Sequence, residues 1–312
     1  MGMMQLLDPT GETAWIRHAA GAARLIQVRG PQSYDSDFEK ALFMAHTGPV
    51  VRPLPLSTSF SILPTNLSNI QMTEALLKNE RCFLEQPAWK SVLRAVIDPS
   101  APMISDRSAI VVELMLLKCN IPGLCVDVTN MICHQSDPDP SFIIEIACRI
   151  HQLRVDLLKW HGQYEAILQN APTILPGTAE FDRRCKVFAT YLSCMIISSR
   201  LLGAISPTER SELEEETQVL TGQMLNLEVE VKATSLQTYL FLAQTLGVSH
   251  ATINTTELWR DVVEKKEEES PRDESRDGLP DTPESPGARG LIESWKFERW
   301  NALMGRKISN TS

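Results

Sequence analysis

Aromatic side chains make up only 6% of this 312-residue sequence, and no two of its seven cysteines stand in a Cys-x-x-Cys. The cysteines lie singly at 82, 119, 125, 133, 148, 185 and 194. Their odd number excludes a fully paired disulfide framework and suits a reducing compartment, where thiols serve as small buried apolar groups. No secretory leader is expected, and Leu6 stands where a myristoylation signal needs Ser or Thr. The longest nearly apolar run, Val187 to Ile197, contains Thr190 and Ser193 and is far shorter than the roughly 20 residues of a bilayer span. No membrane segment is expected, and the protein reads as intracellular. Three glycosylation sequons, at Asn66, Asn254 and Asn310, are too few to overturn that reading. Gly-x-Ser-x-Gly, His-Glu-x-x-His, Walker and dinucleotide-type glycine motifs are all missing, so no enzymatic activity, catalytic residue or cofactor site is expected.

What is present is ordinary globular material, 43% hydrophobic and 22% charged, long enough for one large domain or two modest ones. The net charge of −9 argues against a surface that wraps nucleic acid. Ten acidic against five basic side chains between Asp261 and Gly290 account for −5 of it.

Helical periodicity dominates. Phe142, Ile146, Ile150, Leu153, Leu157, Trp160, Tyr164 and Leu168 follow steps of 4, 4, 3, 4, 3, 4 and 4, one apolar stripe on one long helix started by Asp139-Pro140. A second stripe joins Phe181, Phe188, Tyr191, Met195 and Leu202. A third joins Leu213, Leu220, Met224, Leu227 and Val231, behind a capping box at Ser206-Pro207-Thr208-Glu209. Ser36-Asp37-Phe38-Glu39 repeats the capping pattern. Further helices are expected at 13–28, 73–79, 88–97, 105–117, 124–134, 235–246 and 256–266. Hairpin signals are missing, which predicts an all-α fold of stacked antiparallel helix pairs. Gly30-Pro31, Pro122-Gly123, Pro176-Gly177 and Gly203 read as connections.

The expected organisation is an all-helical domain over 1–260, an acidic disordered linker over 261–290 and a last helix over 291–304. In that helix Ile292, Trp295 and Leu303 share one face while Phe297, Trp300 and Met304 share another. Residues 51–71 interrupt the helical domain with three prolines, four serines, one basic residue, no acidic residue and no helical period.

From Trp15 onward the chain shows Trp15-x-x-His18-x-x-Gly21-Ala22-Ala23-x-Leu25-Ile26-x-x-Arg29-Gly30-Pro31, then Tyr34-x-Ser36-x-Phe38 and Leu42-Phe43-x-Ala45-His46-x-Gly48-Pro49-Val50. Glu74-Ala75-Leu76, Cys82-Phe83-Leu84-Glu85-x-Pro87-x-Trp89 and Leu124-Cys125-x-Asp127 continue the pattern. This resembles the regulatory region of fungal binuclear-zinc-cluster (Zn2Cys6) transcription factors, most densely over 13–130 and thinning toward Trp259. The resemblance implies a nuclear helical regulatory region whose partners are proteins of the transcription machinery or a second copy of itself. The small-molecule effector stays open. The six-cysteine zinc cluster and the basic linker of such factors are absent from this sequence, so no zinc, no DNA-binding residue and no direct DNA contact are expected. An in-frame six-cysteine cluster encoded upstream of Met1 would mark a late start. The rival reading is a standalone helical scaffold or small-ligand-binding protein.

Residues 51–71 separate Gly48-Pro49-Val50 from Met72-Thr73-Glu74, which would otherwise join. Val51-Arg52 can be encoded by a donor-like GTACGT, and Ser68-Asn69-Ile70-Gln71 by TCTAACATACAG, with a branch-like CTAAC and an acceptor CAG. The twenty-one codons span 63 nucleotides, the size of a small fungal intron. We predict that sequencing of the message across this junction finds a spliced form lacking these codons; a uniformly contiguous message defeats the idea.

Cys119, Cys125, Cys133 and His134 lie within sixteen residues but lack a close Cys-x2-4-Cys pair, so they read as buried thiols and not as a metal site. Cys133 and His134 are neighbours on one helix, about 100° apart, and cannot pair as thiolate and imidazole. His18 and His46 read as packed or capping residues, His151 and His161 as boundary positions, and Trp15 and Trp89 as core anchors.

Overall fold

The computed structural model describes residue 21, 24–47, 70–135, 137–171, 174–259 and 290–308. The fold is all-α, with no strand among the described residues. Helical backbone at 24–29 is followed by α1 (Asp37–Thr47), α2 (Ile70–Lys78), α3 (Pro87–Ala95), α4 (Ala109–Lys118) and α5 (Ile121–Thr129). A π turn, Asn130–His134, extends α5. Then come α6 (Pro140–Gln169), α7 (Ala179–Ile205), α8 (Arg210–Thr234), α9 (Leu236–Ile253) and α10 (Ser294–Leu303).

The chain forms two compact units. One holds residues 1–123 and 163–187, the other 124–162 and 188–312. The first has an aromatic core. Trp89 of α3 stacks on Phe43 of α1 at 5.9 Å, meets Phe83 edge-on at 4.9 Å and lies 5.9 Å from Tyr34. Met44, Met72, Cys82, Leu84, Leu93, Val112, Met115 and Cys119 pack around these rings.

Local chemistry accounts for the helix starts here. Gly30, at φ 75°, ends the helix at 24–29, and its amide donates to the Ile26 carbonyl at 3.2 Å. The Ser36 capping box is complete: the Glu39 amide donates to Ser36 Oγ and the Ser36 amide to Glu39 Oε2, each at 3.2 Å. Hydrogen bonds from Ser36, side chain first, hold the Glu39 carboxyl below its ordinary pKa, with Arg29 adding to them.

The second unit buries the expected stripe of α8, Leu213, Leu220, Met224, Leu227 and Val231. On α6, Ile146, Ile150, Leu153, Leu157 and Trp160 are buried here, and Tyr164 in the first unit. The α6 start is as expected, the Ser141 amide donating to Asp139 Oδ1 at 2.9 Å.

Several expectations are corrected. The second stripe understates α7, which is buried on every face from 185 to 205 except at Phe188. Gly203 lies inside α7 and not in a connection, and Pro122-Gly123 form the first turn of α5, where proline's missing N–H costs nothing. The Ser206 box is half made: the Ser206 amide still serves the end of α7, donating to Leu202 O at 2.8 Å, and only its hydroxyl reaches Glu209 Oε1, at 2.7 Å. The expected helix at 235–246 runs to Ile253, and that at 124–134 ends as a π turn. In α10 the Phe297 and Trp300 face is buried, while Trp295 stays 52% exposed.

By length and composition alone, two stretches, Ala109–His134 and Ala179–Ile205, suffice to cross a membrane, contrary to the run-length reading. The apolar window of the second is 94% buried inside the fold, the mark of a core helix. Of the proposed insertion 51–71, only 70 and 71 are described, and they open α2; of the proposed linker 261–290, only Gly290 is described. The rest of both segments, with Trp15 and His18 and the side chain of His46, lies outside the described residues.

Candidate functional site

No three His, Cys, Asp or Glu side chains gather as a metal site would require among the described residues. Cys119 belongs to the first unit and Cys125, Cys133 and His134 to the second. Burial pushes the thiols of Cys82 and Cys119 up to about 12 and that of Cys133 up to about 11, and raises that of Cys125. These four are neutral thiols at physiological pH, neither nucleophiles nor ligands in that form. His161 lies flat on Tyr191, ring centroids 4.5 Å apart and planes within 5°. His151 Nε2 sits 3.3 Å from Glu209 Oε1, and His250 Nε2 3.1 Å from Glu228 Oε2. None of these pairs includes a nucleophile.

The strongest concentration of buried polarity is in the second unit. Arg200 interrupts the apolar and small residues of α7 and is 1% exposed. One of its Nη atoms donates to Glu214 Oε1 of α8 at 2.8 Å and to the Thr252 carbonyl of α9 at 3.2 Å; the other meets Thr255 Oγ1 at 3.4 Å. Its guanidinium carbon stands 4.2 Å from the ring centre of Trp259. Trp300 of α10 completes the wall, edge-on to Trp259 at 5.8 Å, its Nε1 donating to Thr252 Oγ1 at 3.3 Å. Burial lowers the Arg200 pKa to about 10 against the opposing attraction of Glu214, so the guanidinium stays protonated at neutral pH.

Arg210 is a second buried cation nearby. Its Nε donates to the Gly203 carbonyl at 2.6 Å and an Nη to the Gly290 carbonyl at 2.6 Å, while the Ile292 amide donates to Ala204 O at 2.8 Å. The last carbonyls of α7, which a helix end leaves without partners, thereby fasten the segment leading into α10. Gly290 is required there: its φ is 138°, and a Cβ would stand 2.9 Å from Pro207 Cγ.

Among the described residues, Arg200 Nε, Trp259 Nε1 and the hydroxyls of Thr221, Thr238 and Ser249 are buried without a hydrogen-bond partner. Such groups are uncommon in folded proteins. Chemically the cluster can hold charge and orient α7, α8, α9 and α10; it contains no acid, base and nucleophile in mutual reach. A separate open depression of about 580 Å³ is lined by Gln135, Asp137, Asp139 and Phe142. In the first unit Lys186 is buried, its pKa lowered first by burial and partly restored by Asp182 and Asp106.

Neither Arg200, Arg210 nor Lys186 stood out in the sequence reading. The available signal was an arginine inside Cys194 to Ile205, a stretch otherwise of apolar and small residues. Of the residues that carry the family resemblance, Ile26, Tyr34, Phe43, Ala75, Cys82, Phe83, Leu84, Trp89, Leu124, Cys125 and Asp127 are buried, and Leu25, Phe38 and Leu42 are exposed. Asp127 accepts from Arg149 at 2.8 Å.

Comparison with known proteins yields one significant similarity. An uncharacterized protein of Emericella nidulans is 29% identical over 125 residues, 39% of this chain and 22% of that protein. The match thus spans about a fifth of the relative's length. No protein-family model matches the chain, and no solved structure matches it.

Proposed function

We propose that this chain is a helical regulatory region of the kind found in fungal binuclear-zinc-cluster transcription factors, acting through protein contacts. One observation carries the reading. The spaced residues of the resemblance, Tyr34, Phe43, Cys82, Phe83, Leu84 and Trp89, converge on one packed core in the first unit, as a packing signature shared across a family should. The similarity to a fungal protein is in keeping with this source. On this reading the protein works in the nucleus, has no catalytic step, and uses the α7–α10 cluster to hold a surface in shape.

The test is to fuse the full chain to a heterologous DNA-binding domain in a fungal host and read a reporter bearing its sites. The expected result is a reporter level clearly above or below that of the DNA-binding domain alone, from a fusion that enters the nucleus. An unchanged reporter, with the fusion shown to be nuclear and intact, overturns the proposal and leaves the standalone scaffold.

A further inference from the structure

The long helix α6 carries a second apolar stripe, opposite the one that enters the core. Ile144, Cys148, His151, Val155, Leu158 and Gly162 follow steps of 4, 3, 4, 3 and 4, the spacing of a coiled-coil seam. All six are exposed, Ile144 by 63%, Val155 by 57% and Leu158 by 51%. A β-branched or long aliphatic side chain on a helix's solvent face contributes nothing to folding, and three at seam spacing form a patch.

We propose that this face is a self-association surface, on which α6 of one copy pairs antiparallel with α6 of a second. The order of residues makes the seam complementary to itself in that direction. About a midpoint level with Leu153, Ile144 meets Gly162 of the second copy, Cys148 meets Leu158, and His151 meets Val155. Large side chains oppose small or medium ones at every level. Along one flank run Glu145, Gln152 and Lys159, all exposed. In the antiparallel arrangement this flank faces its own copy, placing Glu145 against Lys159 twice and Gln152 near Gln152. A parallel pair would bring Glu145 and Lys159 of the two copies nowhere near each other and forgo both contacts. The two Glu145–Lys159 contacts thus favour a second copy in the antiparallel direction. The surface belongs to the second unit and does not depend on the transcriptional reading.

The seam is about 27 Å long at 1.5 Å per residue. A single helix pair of that length falls below a standard stable interface, so a dissociation constant on the order of 10 µM is expected. Sedimentation of the full chain at roughly tenfold that concentration should show a dimer. Val155→Glu should sediment as a monomer with unchanged helical circular dichroism and unchanged melting temperature, since Val155 lies outside the core.

Cys148 reports direction. In the antiparallel pair the two Cys148 residues are offset by about 15 Å along the axis and cannot bond, whereas Cys148 lies level with position 158 of the other copy. Oxidation should therefore leave the unsubstituted protein uncross-linked and convert Leu158→Cys into a covalent dimer, and Cys148→Ser added to that variant should abolish the bond. The proposal is overturned by a monomer at the higher concentration, by a Val155→Glu protein that remains dimeric, or by a Cys148 to Cys148 disulfide in the unsubstituted chain.

Discussion

Replacing Arg200 by Met is expected to destabilise the second unit by about 3–5 kcal/mol, the usual cost of removing one partner of a buried ion pair. The substitution keeps most of the side chain's volume, so the loss is electrostatic in origin. Glu214 Oε1 accepts from Arg200 and from Gln218 Nε2 at 2.7 Å, and without the guanidinium a buried carboxylate loses its cationic donor. The cation facing Trp259 disappears at the same time, and the Thr252 carbonyl loses a donor. Urea unfolding of the full chain, followed by tryptophan fluorescence, measures the change.

The double variant Arg200→Met/Glu214→Leu separates a harmful lone charge from a useful pair. Removing both ions should recover stability to within about 2 kcal/mol of the parent, because the desolvation cost of the two charges vanishes with their attraction. A double variant as unstable as Arg200→Met alone would show that the stability comes from the aromatic and carbonyl contacts and not from the ion pair. The pH dependence has a definite sign. Arg200's folded pKa lies below its ordinary value, so stability linked to it rises only where the unfolded chain binds the extra proton, above about 10. The titration of Arg200 itself therefore adds no pH dependence to the deficit around neutral pH.

Trp89→Ala should cost the first unit about 3–5 kcal/mol, the range for deleting a buried large aromatic. Its indole touches three other rings at 4.9 to 5.9 Å, so deletion removes dispersion contacts and opens a cavity that helices fixed by their own hydrogen bonds cannot close. Hydrogen exchange is the discriminating measurement: protection should fall across 83–95, and Trp89→Phe should restore much of it. Retention of full protection in Trp89→Ala would mean that the aromatic cluster is incidental to the packing of Phe43, Phe83 and Tyr34.

How far the sequence reached depends on the range of the interaction. Local features came through: the Ser36 box, the glycine stop at Gly30, the Asp139-Pro140 start and the stripes of α6 and α8 all involve residues within a turn or two of each other. The half-made box at Ser206 shows the limit of a local pattern, because the preceding helix had already used that amide. Pattern reading also recorded only the inner stripe of α6. The outer one, interrupted by Cys148 and His151, becomes visible only when exposure is known.

The sequence by itself determined that the chain is all-α, where most of its helices begin, and which face of the amphipathic ones turns inward, because backbone hydrogen bonding and apolar periodicity act over a few residues. Only the tertiary structure decided that α7 is buried on all sides, that the Phe297 and Trp300 face of α10 is the inner one, and that Arg200 meets Glu214, Thr252 and Trp259. Those outcomes join residues up to about a hundred positions apart, and no local propensity encodes which distant side chain will neutralise a charge once water has been excluded.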